Sequence, residues 1–140
     1  MEMEIVFSGG KKVDALFGGF TVRTDQSVAG GGEGSAPEPF QLFLASMGTC
    51  AGIYVLSFCR NRGLPWEGIR LIQRSVFNKE TGFVEKVIID IEVPESFPEK
   101  YRGALVRSAL QCAVKRHIAA GLPKFEVSVV PCREEEDQCV

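Results

Sequence analysis

The amino-acid sequence predicts a single domain of the α+β class. Three observations indicate this class: short strand-like segments open the chain, a long and uniformly apolar helix follows, and a Val- and Ile-rich hairpin leads into a second helix and a last strand. The length of 140 residues fits one domain and is enough to bury a core without disulfides. We therefore predict one domain over residues 1–131, followed by an acidic tail over residues 132–140.

The composition is that of a folded protein. Hydrophobic residues make up 45% of the chain and charged residues 24%, which argues against a disordered chain. The 16 Lys and Arg are balanced by 18 Asp and Glu, for a formal net charge of −2. Nucleic-acid binders usually carry a basic excess, so we expect no nucleic-acid partner.

The first element in chain order is a β-meander. Residues 2–7, 13–17 and 20–24 have the apolar patterning of short strands, and pairs of glycines mark the turns between them. Residues 30–39 are rich in Gly and Pro and are typical of a loop. The opening of the chain is therefore predicted to be three strands that lead into a loop.

A long helix is predicted next, over residues 40–59. Pro39 suits its first turn, Arg60 suits its last turn, and Gly63 suits the position just past its end. Few polar side chains interrupt this segment, and its apolar residues run all the way round the helix. Such a helix must be buried on every side.

Either a membrane or a protein core can bury a helix of this kind. Gly48 and Gly52 form a G-x-x-x-G pair, which permits two helices to approach closely. The span is long enough for a membrane. The surrounding segments, however, have the pattern of an ordinary soluble α+β protein. We therefore expect a core helix that is covered by sheet or by a second copy of the chain, and no membrane partner.

A β-hairpin is predicted after the long helix. Residues 68–78 and 83–93 are both rich in Val and Ile, as strands are. Residues 79–82, Lys-Glu-Thr-Gly, separate them and suit a turn. The two strands are therefore expected to pair with each other.

A second helix is predicted over residues 99–120. Ser96 and Glu99 have the spacing of a capping box, with a proline between them in the first turn. Gly121 suits the end of this helix. Residues 125–129 then alternate apolar and polar side chains, which predicts a last strand.

Common catalytic and metal-binding motifs are missing from the sequence. It contains no phosphate loop, no G-x-S-x-G elbow, and no H-E-x-x-H or C-x-x-C pair. The only histidine, His117, follows Cys112 by five residues, so on a helix the two side chains diverge by about 140°. We therefore expect no metal site.

The five cysteines do not suggest a disulfide framework. Their number is odd and their spacing is irregular. Residues 1–5 lack the basic start and apolar run of a signal peptide. A cytoplasmic location is expected, where thiols stay reduced.

Helix geometry separates the cysteines from one another. Cys50 and Cys59 lie on opposite faces of the long helix, about 13 Å apart along its axis. Cys132 and Cys139 fall in the last segment and the tail. Cys50 and Cys112 occupy the middle of two different predicted helices, so only tertiary packing can bring them together. The alternative for each is an ordinary core thiol.

Residues 39–50, PFQLFLASMGTC, resemble the signature of the OsmC/Ohr family of osmotically inducible and organic-hydroperoxide-resistance proteins. That signature has a Gly-rich loop, a proline and then an apolar helix that carries a cysteine. The order of predicted elements is similar over nearly the whole chain. The resemblance implies an OsmC-like fold in an intertwined homodimer, with the long helices at its centre and the active sites at the subunit interface.

The resemblance also implies a reaction. Cys50 matches the peroxidatic cysteine of the family and Cys112 matches the resolving cysteine. The Cys50 thiolate would attack a peroxide oxygen and become a sulfenic acid, with which Cys112 would form a disulfide. An external dithiol reductant, of the lipoyl type in the hydroperoxide-resistance branch, would open that disulfide. The resemblance implies neither a metal nor a flavin.

A thiolate in an apolar site needs a cation close by. The resemblance implies an arginine ahead of the Gly-rich loop, held by a glutamate early in the long helix. Arg23 is the arginine in that region, and an exposed strand position is its alternative. Phe40 or Gln41 stands where the glutamate is expected, and Glu38 lies before Pro39.

Two functions follow from these residues. The first is thiol-dependent reduction of small organic hydroperoxides in oxidative-stress defence. The alternative is a small-molecule or thiol-carrier binding module whose cysteines are structural, since Ala113 also replaces the proline that often follows the resolving cysteine. Phe40, Phe43, Met47 and Tyr54 are expected to line an apolar substrate pocket near Cys50, or else to pack in a dimer interface.

Overall fold

The computed structural model describes residues 1–131, and the predicted tail at residues 132–140 lies outside them. Within the described range the chain is an α+β fold of two antiparallel sheets and three α-helices. The elements in chain order are β1 (Glu4–Gly9), β2 (Lys12–Phe17), β3 (Phe20–Val22), a 3₁₀ turn (Val28–Gly30), α1 (Pro39–Asn61), β4 (Arg70–Phe77), β5 (Val84–Glu92), α2 (Glu99–Leu110) and α3 (Ala113–Ala120).

The first three strands form the predicted meander, in the spatial order β1-β2-β3. Gly10 and Gly19 adopt the left-handed conformation in the two turns, with φ of 59° and 80°, which glycine tolerates best. β3 ends at Val22, two residues before its predicted end. The Thr24 hydroxyl donates a hydrogen bond to the carbonyl oxygen of Val13 and so holds the chain beside β2 after the strand ends.

The loop between the first sheet and α1 is built around Asp25, whose side chain is buried. Its carboxylate accepts hydrogen bonds from the N–H groups of Gln26, Glu33 and Ser35 at 2.8, 3.2 and 3.0 Å. The Ser35 hydroxyl adds a fourth bond at 2.7 Å. A Cβ atom on Gly32 would collide with the Gln26 carbonyl oxygen. Glycine therefore allows the loop to close tightly around one buried carboxylate.

The predicted long helix is confirmed as α1. Pro39 occupies its first turn, and the backbone N–H of Glu38 donates to the side-chain oxygen of Gln41 at 3.0 Å. The backbone N–H of Gln41 in turn donates to the Glu38 carbonyl oxygen at 2.9 Å. These bonds satisfy polar groups that a helix start leaves unpaired.

The described chain covers only one face of α1. Phe40, Phe43 and Ile53 of α1 are 51%, 42% and 53% exposed, and Ile53 lies on the open face, away from the covered residues. Burial on every side is thus not provided by one copy of the described chain. α1 is also long and apolar enough to cross a membrane, a property that core helices share. The residues of its covered face are Met47, Ala51, Val55, Phe58 and Cys59.

The predicted hairpin forms from β4 and β5 and packs against α1. Gln73 of β4 donates from Nε2 to the Leu44 carbonyl oxygen of α1 at 2.9 Å. A Cβ atom on Gly48 would lie 2.5 Å from Oε1 of Gln73. Gly48 therefore permits close contact between α1 and its own hairpin. Gly52, the other member of the G-x-x-x-G pair, faces open space within the described chain.

The prediction of one continuous helix over residues 99–120 is wrong. α2 ends at Leu110, Gln111 caps it, and α3 begins at Ala113. Cys112 lies between them with φ −57° and ψ 137°, outside the helical region, and its Sγ accepts the Lys115 N–H at 3.4 Å. The break contains no Gly or Pro, and the apolar periodicity of residues 99–120 continues across it. The sequence pattern therefore did not predict that the helix ends at Leu110.

The prediction of a last strand over residues 125–129 is also wrong for one copy of the described chain. That segment has no ladder partner among residues 1–131. Its alternating apolar side chains, Phe125, Val127 and Val129, are 86%, 94% and 102% exposed. A strand requires a neighbouring strand to satisfy its backbone.

The core of the described chain is small for its length. The accessible surface is 11277 Å², whereas a compact monomer of 15.3 kDa is expected to expose about 7,100 Å². The core joins α1 to α2 and the hairpin. Its buried members are Ala51, Val55, Phe58, Cys59, Phe97, Leu105 and Ala109.

Candidate functional site

Tertiary packing brings Cys50 and Cys112 together. Cys50 lies in the middle of α1 and is partly buried, while Cys112 is fully buried at the start of α3. Both are free thiols, and the Cys112 side chain is among the groups that act on the Cys50 sulfur. Sequence spacing alone did not predict whether the two thiols lie close together. Their proximity results from the packing of α3 against α1.

The break before α3 gives Cys50 its electrostatic environment. The backbone N–H of Val114 lowers the pKa of Cys50 most, and the Cys112 thiol and the Ala113 N–H act in the same direction. Burial opposes them, but the pKa of Cys50 remains below its ordinary value. These N–H groups are unpaired at a helix start and point towards the sulfur. An unbroken helix would have used them internally.

Lys115 is the cation that lowers the pKa of Cys50. It lies in the first turn of α3, where its backbone N–H binds Cys112 and its ammonium donates to the Ala109 carbonyl oxygen at 3.2 Å. Sequence reasoning missed this residue because the predicted continuous helix over residues 99–120 placed Lys115 far from any helix start. The exposed start of α3 could be found only from the structure.

An apolar cavity of about 520 Å³ lies near this pair, although neither thiol lines it. It lies between α1, β5 and α3, and Lys115 is part of its wall. Glu85 and Lys86 of β5 are its other charged residues. A cavity of this size and character suits a small apolar molecule. Its apolar walls include Phe43, Leu44, Met47, Leu110, Ile118 and Leu122.

The four residues expected to form an apolar pocket fall into three places. Phe43 and Met47 line the cavity. Phe40 stacks on Phe43 with ring centroids 5.7 Å apart but is not among the lining residues. Tyr54 lies one turn beyond Cys50 and lines a separate groove between α1 and α2.

The residues expected to activate and orient the thiolate lie elsewhere in the described protomer. Arg23 lines a polar groove beside Lys12, and it is not among the described groups that shift the Cys50 pKa. Glu38 accepts the Ser27 N–H at 3.0 Å through its carboxylate. The side-chain oxygen of Gln41 binds Glu38 at the helix start. Within residues 1–131, these side chains serve the loop and the start of α1.

Cys59 has a different environment from Cys50. It is fully buried in the core, and burial raises its pKa, although Arg62 opposes this shift. A thiol of this kind is unreactive. Cys132 and Cys139 lie outside the described residues. No group of three or more His, Cys, Asp or Glu side chains suited to a metal ion is found within residues 1–131.

Comparison with known proteins identifies relatives of this architecture. The family model described as OsmC-like protein matches residues 32–128, more than half of the chain. Among curated proteins, none matches.

Solved structures resemble the fold at low sequence identity. An osmotic stress induced and detoxification response protein from Psychrobacter arcticus is 22% identical, with a TM-score of 0.69 over 81% of this chain and 85% of the other. An organic hydroperoxide resistance protein from Vibrio cholerae, with captopril bound in one of its active sites, is 18% identical, with a TM-score of 0.57 over 86% of each chain. The protein OsmC from Legionella pneumophila is 20% identical, with a TM-score of 0.50 over 84% of this chain and 89% of the other.

Proposed function

Because the chain belongs to the OsmC-like protein family, we propose that it reduces small organic hydroperoxides through Cys50 and Cys112 in oxidative-stress defence. The observation that carries this proposal is the environment of Cys50. Two thiols that are 62 positions apart in the chain meet at one helix start, and the N–H groups and Lys115 there lower the pKa of the partly buried one. Such an arrangement favours the thiolate, the form that attacks peroxides.

The proposed reaction has three steps. The Cys50 thiolate attacks the terminal oxygen of R–O–O–H, the O–O bond breaks, and the alkoxide takes up a proton and leaves as the alcohol. Cys50 is then a sulfenic acid, and the Cys112 sulfur attacks it, with loss of water, to form a disulfide. An external dithiol returns both cysteines to thiols and is itself oxidised to a disulfide. The two electrons come from that dithiol, for which a lipoyl-type compound is our proposal.

The apolar cavity supports an organic substrate. Phe43 and Met47 line it, and Cys50 follows Met47 by three residues, on the same side of α1. An apolar R group would fill the cavity while its peroxide end reached the Cys50 sulfur. No resident metal or flavin has a role in these steps, because the thiols and the external dithiol carry the electrons.

Lys115 is our proposed activating cation. It lies on the same helix turn as the N–H groups that lower the Cys50 pKa, and its charge acts in the same direction. Arg23 remains the second candidate, brought to the site from another copy of the chain. Glu38 and Gln41 bind backbone groups of the loop and of the helix start. In that case they would orient the segment that carries Arg23 only indirectly.

We also propose that the working unit is a homodimer in the cytoplasm. The open face of α1, the exposed alternating segment at residues 125–129 and the large accessible surface all support association with a second copy. The family match and the mixed fold favour such a protein-covered α1 over a membrane span. The odd number and irregular spacing of the cysteines, which suit no disulfide framework, agree with a reducing compartment.

A thiol count tests the reaction. Reduced protein mixed with one equivalent of cumene hydroperoxide should lose two hydrogens in the mass spectrum within seconds, as the Cys50–Cys112 disulfide forms. Cys50→Ser should abolish this loss, and Cys112→Ser should trap a sulfenic acid that overoxidises. Cys59→Ser is the matched control and should react as the wild type does. Equal and slow peroxide consumption by wild type and Cys50→Ser would reject the enzyme proposal.

A small-molecule binding module is the second candidate, and the cavity favours it specifically. Its walls are largely apolar and large enough for a ligand without any redox step. Under this proposal the cysteines are structural, and cumyl alcohol, which lacks the peroxide bond, should bind as well as the hydroperoxide. Calorimetry with the alcohol, read beside the thiol count, separates the two functions.

A further inference from the structure

A second groove, of about 360 Å³, lies between the C-terminal half of α1 and α2. It differs from the apolar cavity in its chemistry, because most of its lining side chains are polar or cationic. The argument concerns Tyr54, Asn61, Arg62, Arg107, Ser108 and Gln111, which all line it.

The groove carries positive charge in an otherwise slightly acidic chain. Arg62 and Arg107 line it, and no Asp or Glu of the described residues does. Arg62 is held in place, since its guanidinium carbon lies 3.9 Å from the Phe58 ring centroid and Nη1 donates to the Phe58 carbonyl oxygen at 3.5 Å. Neither arginine forms an ion pair with a carboxylate within residues 1–131. The groove is therefore suited to an anion.

The groove begins about one helix turn from Cys50 along α1, and neither thiol lines it. Ser108 of α2 donates from its hydroxyl to the Tyr54 carbonyl oxygen of α1 at 3.3 Å, so these residues lie at the same level. Tyr54 follows Cys50 by four residues, which is about 6 Å along α1. Arg107 precedes Ser108 and Gln111 precedes Cys112. A molecule that reaches the Cys50 sulfur can thus extend its other end to Arg107.

We propose that this groove binds the anionic end of the small dithiol that reduces the Cys50–Cys112 disulfide. The inference rests on the proposed function for the disulfide itself. Its ligand class is a short dithiol that carries a carboxylate several bonds away from its sulfurs. The apolar cavity on the other side of Cys50 then remains available to the hydroperoxide.

The different exposure of the two sulfurs determines which of them the reductant attacks. A reductant thiolate attacks Cys50, which is partly exposed, because Cys112 is fully buried. The S–S bond breaks and Cys112 leaves as a thiolate, next to the Lys115 N–H that already binds its sulfur. The second thiol of the reductant attacks the mixed disulfide and expels the Cys50 thiolate. The dithiol loses two electrons and two protons, and the protein disulfide gains them.

Two reductants that differ only in charge test the groove. Dihydrolipoate carries a carboxylate and dihydrolipoamide carries a neutral amide in its place. In steady-state turnover of cumene hydroperoxide by the full chain, we expect the KM for dihydrolipoate to be about fivefold lower than that for dihydrolipoamide. Arg107→Gln should remove this difference by raising the KM for dihydrolipoate. High salt should also reduce the difference, because the groove is open to solvent.

Arg102→Gln is the matched control. Arg102 lies on the same helix, is paired with Glu99 at 2.9 Å and does not line the groove. This variant should keep the fivefold preference. Equal KM values for the two reductants in the wild type, or an equal loss of the preference in both variants, would overturn the groove assignment.

A binding measurement separates this inference from the proposed function. Lipoate and lipoamide, the oxidised forms, are disulfides that a reduced Cys50 thiolate would attack, so the binding measurement uses protein that carries Cys50→Ser and Cys112→Ser. Calorimetry on this protein should show tighter binding of lipoate, and adding Arg107→Gln should abolish the difference. Equal affinity for lipoate and lipoamide would overturn the groove as an anion site. Failure of cumene hydroperoxide to oxidise Cys50 would instead overturn the peroxidase, and the lipoate preference would still be measured.

Discussion

The protonation state of Cys50 depends on individual residues that are far from it in the sequence. Val114, Cys112, Ala113 and Lys115 lower its pKa, and burial raises it. All four lie in one short segment that the fold places against α1. A cysteine in an apolar helix would otherwise be an ordinary packing residue.

Replacing Lys115 tests its charge. Lys115→Gln should raise the pKa of Cys50 and slow its alkylation at neutral pH by up to about threefold, and Lys115→Arg should restore both. The effect is modest because the N–H groups and the Cys112 thiol lower this pKa more than Lys115 does. Thiolate reactivity is present above the folded pKa and is lost as the pH falls through it, so the half-maximal rate should move to higher pH in Lys115→Gln. Iodoacetamide labelling of the Cys50 peptide across pH, followed by mass spectrometry, measures this.

Two further variants are read in the same alkylation experiment. Lys79→Gln, in the hairpin turn, is the control and should leave the profile unchanged. Arg23→Gln shows whether Arg23 contributes. A profile for Lys115→Gln that coincides with that of the wild type would remove Lys115 from the mechanism.

Replacing Asp25 tests the loop before α1. The pKa of Asp25 is lowered to about 2, chiefly by the hydrogen bonds from Ser35. A carboxyl with a lowered folded pKa stabilises the fold above its unfolded value, here 3.8, and loses that effect as the pH falls towards 2. Asp25→Asn should therefore lower the Tm at pH 7, with a difference from wild type that shrinks below about pH 4. Thermal unfolding at several pH values measures this, and a difference that is constant with pH would contradict it.

Sequence reasoning identified the two cysteines but not the cation. The roles of Cys50 and Cys112 were implied by the resemblance to a family signature, whereas helix geometry alone left open whether the two thiols meet. Lys115 had no such pattern, since its position depends on where α3 starts. Arg23 was expected from the signature alone, and its role remains a prediction.

At the scale of elements, the break between α2 and α3 is what exposes N–H groups to Cys50. Apolar patterning predicted α1, the hairpin and a single helix over residues 99–120, because the arrangement of apolar residues reflects which sides of an element are buried. It did not predict the break, because Gln111 and Cys112 are compatible with a helix and neither is Gly or Pro. The Lys115 N–H bond to Cys112 and the burial of Cys112 decide the geometry instead.

A proline at the first position of α3 tests this start. Ala113→Pro should change the free energy of unfolding by less than about 1 kcal/mol, because a helix tolerates proline at its first position. It should still raise the Cys50 pKa, since it removes the Ala113 N–H. Ala119→Pro, inside α3, is the matched control and should cost about 3 kcal/mol. Urea unfolding and alkylation measure the two effects, and equal destabilisation by both prolines would contradict the assigned start.

At the scale of the whole molecule, one copy of the described chain leaves much apolar surface open. The sequence predicted a long helix buried on every side, and the described chain covers one face of it. Residues 1–131 of one copy do not bury the open face of α1. They also contain no strand that pairs with residues 125–129. Apolar patterning without an intramolecular partner among the described residues therefore supports the proposed homodimer.

The oligomeric state tests this. The wild type should sediment with twice its 15.3 kDa chain mass at micromolar concentration. Ile53→Asp, on the open face of α1, should weaken association at least tenfold, because it would bury a charge without a partner. Ile53→Leu is the conservative control and should remain a dimer. Analytical ultracentrifugation measures these masses, and a wild-type monomer at high concentration would contradict the proposal.

The place of Cys112 at the first turn of α3 constrains how this lineage can change. In the proposed reaction the Cys112 sulfur accepts electrons, and the same residue marks the start of α3. A mutation of Cys112 is therefore expected to change activity and structure together. Serine is an exception, because its hydroxyl can begin a helix yet forms no bond to another sulfur. Descendants that lost the reaction and kept the shape are therefore expected to carry serine at this position more often than alanine.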